Sequence, residues 1–224
     1  MKKLLGVIFA GALLVSSVSA ASRVAGGGGN MLIGLTFPQT SFKLDDWDDK
    51  VKQSAVGAEI GYMNVNSLNG FTFKGVLQNN VAWTKDLRED DTDVAYNMVL
   101  DAGLGWSPVH TNQFSLSFLG MVGFGFANYK YDYKYIYDAS YNSRTNTITY
   151  YYKNATATNL FYDFHIGLDG TAIFYINNKF GLYGNLGFRF GFGGDAWDSG
   201  AGSSDTISTT STTFIPTIGC VIKM

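Results

Sequence analysis

The sequence lacks a second cysteine, a long apolar run after its first residues and an excess of basic side chains. Its one cysteine, Cys220, cannot form an intrachain disulfide. After the first residues of the chain, no run approaches the ~18 apolar residues that a spanning helix needs. The 16 basic side chains do not outnumber the 18 acidic ones, which argues against a nucleic-acid partner.

The first 20 residues have the three parts of a secretory signal peptide. Lys2 and Lys3 form a basic start, residues 4–15 are apolar, and Val18-Ser19-Ala20 offers the small side chains of a cleavage site. We therefore predict that residues 1–20 are removed on export, which takes two of the 16 basic side chains and leaves 14 against 18 acidic ones. Residues 21–29 are glycine-rich and predict a flexible lead-in, and no later change in composition indicates a second domain.

Alternation between apolar and polar residues dominates the rest of the chain. In residues 180–192 the even positions are Phe, Leu or Gly, and the odd positions are Gly, Tyr, Asn or Arg. Because successive side chains of a strand point to opposite faces, one face of this strand is wide and apolar and the other is small and polar. Similar alternation predicts eight strands, at 30–37, 53–64, 71–84, 94–106, 114–129, 159–176, 180–192 and 212–224.

The connections between these strands alternate in length. Long loops are predicted at 38–52, 85–93, 130–158 and 193–211, and short turns at 65–70, 107–113 and 177–179. Outer-membrane barrels have long extracellular loops and short periplasmic turns, with apolar side chains toward lipid and polar ones toward the lumen. We therefore predict an all-β protein with one eight-stranded antiparallel transmembrane β-barrel over residues 30–224, located in the bacterial outer membrane.

A soluble barrel with an apolar interior is the competing interpretation. Such a barrel would carry charged side chains along the outer face of each strand. No Asp, Glu, Lys or Arg interrupts the apolar face of a predicted strand between its ends. The apolar sets also tend to end in Phe, Tyr or Trp, as the aromatic girdles of membrane barrels do.

With this architecture the chain resembles the small eight-stranded outer-membrane barrels, which include the outer membrane protein A and outer membrane protein W families and small barrels of spirochaetes. Residues 31–38, MLIGLTFP, are similar to the first strand of the outer membrane protein W family. The resemblance implies outer-membrane lipids and the barrel-assembly machinery as partners. We predict porin-like or channel-like passage of small molecules as the function, and the resemblance to outer membrane protein W implies that these include hydrophobic molecules. The alternative is a surface-exposed adhesin or a structural barrel with a closed, ion-paired lumen. The chain ends in Lys223-Met224, where many members of these families end in Phe.

Charged side chains on the predicted lumen face form the first candidate site. A charge inside a narrow barrel is costly unless it is paired, so we expect pairs between Lys74 and Glu59 and between Arg189 and Asp163, with Arg189 nearly opposite His165. These pairs either plug the lumen or form a constriction that selects small solutes. The full set is Glu59, Lys74, Asp101, Asp163, His165, Asp169 and Arg189.

Larger side chains share the same face. They either fill the lumen as a core or line an apolar passage. They are Leu119, Met121, Phe161, Ile173, Tyr175 and Tyr183.

His165 near Asp163 also raises the question of an enzyme. A hydrolase would need a nucleophile beside the base and an oxyanion site. The lumen face offers Ser115 and Ser117, but the sequence has no G-x-S-x-G motif, no metal-ligand spacing and no phosphate-binding glycine loop. We therefore expect no enzyme, no cofactor and no metal.

The loop predicted at 130–158 is rich in tyrosine. Its first half alternates tyrosine with other residues, most of them charged, which predicts a hairpin that continues beyond the membrane. Tyrosine gives a large contact area at a low entropy cost, so this hairpin is a candidate surface for a host ligand. A ladder that only stiffens the hairpin is the alternative. The tyrosines concerned are Tyr131, Tyr133, Tyr135, Tyr137, Tyr150, Tyr151 and Tyr152.

Overall fold

The computed structural model describes residues 28–44, 50–85, 92–198 and 208–224. The predicted signal peptide and most of the lead-in lie outside the described residues, and so do parts of three predicted loops. Within the described part, no helix is long and apolar enough to cross a membrane. The strands are β1 (Gly28–Thr36), β2 (Gln39–Leu44), β3 (Lys50–Val65), β4 (Phe71–Lys85), β5 (Thr92–His110), β6 (Phe114–Asn142), β7 (Thr147–Tyr175), β8 (Phe180–Asp198) and β9 (Ser208–Lys223).

Antiparallel pairing closes these strands into a barrel with eight strand positions around its wall. From β3 onward each strand pairs with the next along the chain, and β9 returns to pair with β1, with Gly34 opposite Gly219. Both β1 and β2 lie between β3 and β9, so the two together fill one position. The prediction of an eight-stranded antiparallel barrel is confirmed.

The three prolines mark irregular places in this wall. Pro38 separates β1 from β2, and its neighbour Phe37 donates its amide hydrogen to the carbonyl of Pro216 on β9 (2.9 Å). Pro108 lies at the bulge in β5, between Trp106 and Val109. Proline has no amide hydrogen, so each of these positions lacks one donor of the ladder.

Several predicted boundaries are wrong because strands continue into predicted connections. Beyond Pro38 the first strand resumes as β2 inside the predicted loop 38–52. Past its bulge, β5 reaches His110 inside the predicted turn 107–113. At the other end of the barrel, β8 runs to Asp198 and β9 begins at Ser208, so strands also occupy both ends of the predicted loop 193–211.

Polar side chains close the three short turns. Asn66 Oδ1 accepts from the amide of Leu68 (2.9 Å), Thr111 Oγ1 from that of Phe114 (3.0 Å), and Asn177 Oδ1 from that of Phe180 (2.9 Å). Gly70 ends the first of these turns with φ +71°, a value that favours glycine. The turns lie at the same end of the barrel as Gly28 and Met224. We call this the short-turn end and the other the long-loop end.

The wall of the barrel is apolar on the outside. In β8, Leu182, Leu186 and Phe190 are exposed, whereas Asn185 and Arg189 between them are buried. This is the arrangement of a barrel that faces lipid with its wall and water or protein with its lumen. At the short-turn end, β4 to β8 each expose one aromatic side chain, as predicted for an aromatic girdle: Phe71, Trp106, Phe114, Phe174 and Phe180.

Tyr62 is an exception to the predicted alternation. The pattern places it on the outward face with Ile60, which is exposed, but only 3% of Tyr62 is exposed. Its ring lies over Gly29, where any side chain would meet the Tyr62 hydroxyl. The same hydroxyl accepts a hydrogen bond from Asn64 Nδ2 (3.1 Å). The absence of a side chain at residue 29 therefore allows this ring to pack against the wall.

Candidate functional site

One face of β7 supplies a series of side chains to the lumen. From the short-turn end toward the long-loop end they are Tyr175, Ile173, Thr171, Asp169, His165 and Asp163, with Gly167 in the gap between Asp169 and His165. Most of these side chains are buried. Strict alternation along one long strand thus places apolar, hydroxyl and charged groups at successive levels of the same lumen.

Lys74 forms an ion pair across the lumen. Its Nζ lies 2.8 Å from Asp169 Oδ2, and it also donates to Asn185 Oδ1 (3.1 Å) and Thr171 Oγ1 (3.4 Å). The predicted pairing of Lys74 with Glu59 is wrong. Glu59 instead accepts hydrogen bonds from Gln78 Nε2 (2.9 Å) and from the Tyr183 hydroxyl (3.0 Å).

Arg189 joins two carboxylates. Its Nη2 lies 2.9 Å from Asp101 Oδ2 and its Nη1 lies 2.7 Å from Asp169 Oδ1. The predicted pairing with Asp163 is wrong. Arg189 stands opposite Gly167 in the register of β7 and β8, which makes it a diagonal neighbour of His165.

The contacts of Lys74 with Asp169 and of Arg189 with Asp101, both across the lumen, have one physical reason. The prediction looked for partners on adjacent strands, where side chains of opposite residues meet. In a barrel of eight strands the interior is only wide enough for side chains to fill it, so long side chains reach the far wall. Lys74 on β4 meets β7, and Arg189 on β8 meets β5, in each case three positions around the barrel.

His165 lies between two carboxylates. Its Nε2 is 2.6 Å from Asp101 Oδ1, and its Nδ1 is 3.0 Å from Asp163 Oδ2. Since both ring nitrogens are engaged, neither is free to take a proton from a nucleophile. Of the two serines considered as nucleophiles, Ser115 lies in hydrogen-bond contact with Ser107 instead (3.2 Å). Asp163 continues the network toward the long-loop end by accepting a hydrogen bond from Ser211 (3.3 Å).

Glycines opposite the charged residues make room for this network. His165 stands between Gly123 on β6 and Gly191 on β8 in the register of the sheet. A side-chain carbon at Gly123 would collide with Asp101 and His165, and one at Gly191 would collide with Asp163 and Ser211. Sequence reasoning treated these glycines only as small residues of the lumen face. The sequence did offer a signal for this packing: a glycine on the lumen face of a strand next to one that carries a lumen charge.

The polar partners of the charged side chains were also missing from the candidate set. They share the lumen face in the sequence pattern, but only the fold shows what they bind. Tyr183 and Gln78 hold Glu59, and the Thr171 hydroxyl donates to the Asn185 oxygen that Lys74 also contacts (2.7 Å).

Apolar side chains fill the lumen at the short-turn end. The expected residues Leu119, Met121, Ile173, Tyr175 and Tyr183 are all buried, and Phe161 is partly exposed. The Tyr175 hydroxyl crosses the lumen to Asn30 Oδ1 (2.8 Å). The main cluster consists of Leu32, Met63, Val65, Val76, Ile173, Tyr175, Tyr183 and Val221.

A two-stranded ribbon rises from the long-loop end, as the tyrosine pattern predicts. Pairing between β5 and β6 ends with Ala95 opposite Tyr129, and pairing between β7 and β8 ends with Asn159 opposite Asp198. Beyond these points, within the part of the chain that the structure describes, β6 and β7 pair only with each other, to Asn142 opposite Thr147. Thirteen residues of β6, 130–142, belong to this ribbon, and they extend it by about 40 Å.

A bulge between Ile136 and Asp138 divides the ribbon into two parts. In the lower part, the backbones of Tyr131, Tyr133 and Tyr135 pair with Ala157, Ala155 and Lys153; their side chains lie outside the described set. Above the bulge the register places exposed apolar side chains on one face, which we call the tip face. These are Ile136, Tyr141, Ile148, Tyr150 and Tyr152.

The opposite face of the same segment is more polar. Asp138, Ser140, Asn142, Thr147 and Thr149 belong to it by register. Two tyrosines, Tyr137 and Tyr151, also lie there, with their ring centroids 6.3 Å apart.

The turn at the end of the ribbon is held by its own side chains. Asn142 Oδ1 accepts from the amide of Arg144 (3.0 Å), and Asn146 Oδ1 accepts from the Tyr141 hydroxyl (2.8 Å). Asn146 has φ +52°, which asparagine tolerates better than most residues.

Comparisons with known proteins find similarity to solved structures at low sequence identity. No family model matches the sequence, and no curated protein matches it significantly. Among solved structures, the chain is similar to Ail, the attachment invasion locus protein of Yersinia pestis, solved with the heparin analogue sucrose octasulfate (14% identity, 86% of this chain, 98% of that chain, TM-score 0.40). It is also similar to the outer membrane protein OprG from Pseudomonas aeruginosa (14% identity, 89% of this chain, 97% of that chain, TM-score 0.44). A third similar structure is Neisserial surface protein A (8% identity, 87% of this chain, 97% of that chain, TM-score 0.43).

These likenesses say nothing about what the present chain binds. Its architecture follows from its own strands: a small antiparallel barrel with an apolar wall and a charged lumen. This is the architecture of small outer-membrane barrels.

Proposed function

We propose that this chain is a closed outer-membrane barrel that holds the β6–β7 ribbon at the cell surface as a binding site for a partner protein. The observation that carries the proposal is the ribbon itself. It continues for thirteen residues beyond the last pairing with the barrel and exposes five large apolar side chains on its tip face. In water this apolar face is hydrated. A partner that covers it removes apolar surface from water, which lowers the free energy.

The lumen supports a closed barrel better than a passage. At one level Lys74 meets Asp169, at another Arg189 meets Asp101, and Tyr175 meets Asn30 nearer the short-turn end. The charged side chains in these contacts are almost fully buried. Passage of a solute would require buried ion pairs to separate, which is costly in an interior of low dielectric constant.

The composition of the ribbon supports a protein as partner. Residues 137–152 contain five tyrosines together with Ser140, Ser143, Asn142, Asn146 and Arg144. Tyrosine supplies large contact area with few rotatable bonds, and Ser and Asn supply adaptable hydrogen bonds; antibody-combining sites use the same mixture.

The first test concerns which side of the membrane carries the ribbon. An epitope tag inserted after Asn142 is expected to be labelled on intact cells, and a tag inserted at Thr111, in a short turn, only after the outer membrane is permeabilised. The reverse labelling would contradict the proposed display.

The second test concerns the tip face. Cells of a Gram-negative laboratory strain that display the chain are expected to adhere to epithelial monolayers or to immobilised matrix proteins. The double variant Tyr141→Ser/Tyr150→Ser is expected to lose most of this adhesion. Its matched control, Tyr137→Ser/Tyr151→Ser, removes two tyrosines from the opposite face and should retain adhesion. The proposal is contradicted if wild-type cells adhere no better than cells without the protein. It is also contradicted if both variants, displayed at equal levels, lose the same amount of adhesion.

A further inference from the structure

Above its bulge the ribbon has an open strand edge on β7. From Thr147 to Tyr152, β7 pairs with β6 on one side, and every residue of this segment is exposed. Within the described residues, no strand pairs with its other side. Since every second residue of a paired strand turns its N–H and C=O away from its neighbour, this side presents a row of open donors and acceptors. We call it the β7 edge.

The nearest connection outside the described residues is too short to cover this edge. Residues 199–207 join Asp198 to Ser208, a path of about 34 Å at full extension. Ser208 stands opposite Gly194, which is four residues or about 13 Å lower along β8 than Asp198. The path must return to that lower level, so it can rise at most about 10 Å above Asp198.

The β7 edge begins well above that height. Asp198 stands opposite Asn159, and Tyr152 lies seven residues, or about 23 Å, beyond Asn159. The connections 45–49 and 86–91 are shorter and start from strands farther from β7. The chain before β1 starts at the short-turn end, on the other side of the membrane. The β7 edge is therefore open to another molecule.

The sequence of the β7 edge favours pairing with another strand. Residues 147–152 read TITYYY, with no charge, no proline and no glycine. A six-residue segment of this kind, exposed at a sheet edge, is typical of strands that associate edge to edge. The other edge of the ribbon is protected: β6 carries the charge of Asp138 at this height and the bulge at Tyr137, which interrupts the ladder.

A second copy of the β7 edge is complementary to the first in antiparallel orientation. With a two-fold axis at Tyr150, the two Tyr150 side chains stand opposite each other, and Ile148 of each copy stands opposite Tyr152 of the other. Aromatic pairs and pairs of an aromatic with a β-branched side chain stabilise neighbouring strands. In this register Lys153 stands opposite Thr147, so no like charges oppose each other.

We propose that the β7 edge, from Thr147 to Lys153, binds the same edge of a second copy of this chain, antiparallel and centred on Tyr150. Strand addition of this kind draws its affinity from main-chain hydrogen bonds and its specificity from the paired side chains. The interface is self-complementary, as a two-fold axis requires. It turns two marginal two-stranded ribbons into one four-stranded sheet, and both tip faces lie on the same side of that sheet.

The antiparallel direction places the two barrels at opposite ends of the sheet. A parallel pair in one membrane would need its second copy where β8 continues the wall beside β7. In the antiparallel pair, the nine residues from Tyr150 to Asn159 separate each barrel from the axis by about 30 Å. The two barrels then lie in facing membranes, about 60 Å apart. The inference thus gives the displayed ribbon a second copy on a facing cell as its partner, and for that consequence it rests on the proposed function.

Purified mature protein in lipid nanodiscs tests the pairing itself, whichever side of the outer membrane carries the ribbon. Mass photometry is expected to find pairs of wild-type discs. Tyr150→Lys sets two like charges opposite each other across the axis and should weaken the association about tenfold. The matched control, Ile136→Lys, puts the same charge on the tip face of β6, away from the β7 edge, and should leave the association unchanged. The change in gel mobility on heating confirms that each barrel is folded.

A charge swap tests the register. Discs with Tyr150→Lys and discs with Tyr150→Glu, labelled in two colours, should pair with each other about as well as wild-type discs do, although neither kind pairs well with itself. Opposite charges then face each other across the axis. Two-colour fluorescence cross-correlation measures this mixed pairing.

Three outcomes would overturn the proposal. Wild-type discs could stay single, which would mean that the edge binds no second copy. Tyr150→Lys and Ile136→Lys could weaken the association equally, which would mean that the tip face makes the contact. The mixed discs could fail to pair, which would mean that Tyr150 does not face itself. Each of these results leaves the labelling of the tag after Asn142 as it is, so failure of the pairing and failure of the proposed display are distinguishable.

Discussion

The barrel wall and the ribbon tip both expose apolar side chains, yet they do so for different solvents. On the wall, Ile166 and Leu168 project from β7, whose other face here is buried in a charged lumen. On the ribbon, Tyr150 and Tyr152 project from a strand with no lumen behind it. The same β7 strand contributes to both surfaces, so the difference comes from what lies on its other face.

This difference determines how each region is stabilised. The wall has neighbours on both sides of every strand and an interior held by buried ion pairs. The ribbon has one partner for each strand, and an isolated two-stranded ribbon is marginally stable in water. Its register is therefore maintained by the barrel at its base and by the asparagines at its tip. We expect the barrel to resist change strongly and the ribbon to tolerate it.

The largest expected effect lies in the lumen. Lys74→Met leaves Asp169 with one cation instead of two and removes three contacts, so it should cost about 3–5 kcal/mol of unfolding free energy. The double variant Lys74→Met/Asp169→Leu removes the pair together and leaves Arg189 with Asp101, so it should recover much of that loss. Urea titrations in lipid vesicles measure both. Equal losses in the single and double variants would mean that the pair is not what holds the lumen.

The two apolar surfaces can be compared by placing the same charge on each. Leu186→Arg puts a cation near the middle of the wall and should cost about 2–4 kcal/mol. Ile148→Arg, on the tip face, exposes the cation to water and should change stability by no more than about 0.5 kcal/mol. Folding titrations into vesicles provide the comparison. If both changes cost the same, the wall and the tip face share one solvent, and the assignment of the wall to lipid is wrong.

A finer test concerns the space that glycine leaves for the lumen network. Gly123→Ala places a methyl group against Asp101 and His165 and should cost about 1–3 kcal/mol. Gly125→Ala, two residues further along the same face of β6, meets only Val99, Met98 and Asp163 at ordinary contact distances of 3.5 Å or more. It should be close to neutral. Thermal unfolding in detergent compares the stability of the two variants. If Gly125→Ala lowers stability as much as Gly123→Ala, the loss does not come from contact with Asp101 and His165.

The smallest effect is expected at the tip. Asn146→Ala removes the acceptor of the Tyr141 hydroxyl and places alanine at a positive φ, which costs roughly 1 kcal/mol locally. Because the described pairing above the bulge joins β6 and β7 to each other alone, the barrel should unfold at the same denaturant concentration as before. Hydrogen exchange should accelerate in residues 136–152 alone. Faster exchange in β8 as well would show that ribbon and barrel unfold together.

The strands of the barrel were predictable from sequence because alternation is a local property. A residue such as Leu186 must face away from Asn185 wherever the strand lies. The partners of the charged side chains were not predictable in this way. Whether Lys74 meets Glu59 or Asp169 depends on the width of the closed lumen, which no single strand encodes.

The places where the wall deviates also escaped prediction for a physical reason. The continuation of the first strand beyond Pro38 depends on β9, because the carbonyl of Pro216 accepts the Phe37 amide there. The bulge at Tyr137 changes which residues of β6 share a face with Tyr150. The repeated tyrosines predicted a hairpin, but a shift of one residue in its register decides which of them form a surface.

Single-channel recording in planar bilayers tests the closed lumen most directly. The purified wild-type barrel is expected to insert without producing conductance steps, because the contacts of Lys74, Arg189 and Tyr175 cross its lumen. The folded double variant Lys74→Met/Asp169→Leu should also stay silent, since the apolar cluster at the short-turn end remains in place. Steady conductance steps from the wild type, altered in size or ion selectivity in the double variant, would show that the charged lumen is a channel and would contradict the account of a closed barrel that displays a ribbon.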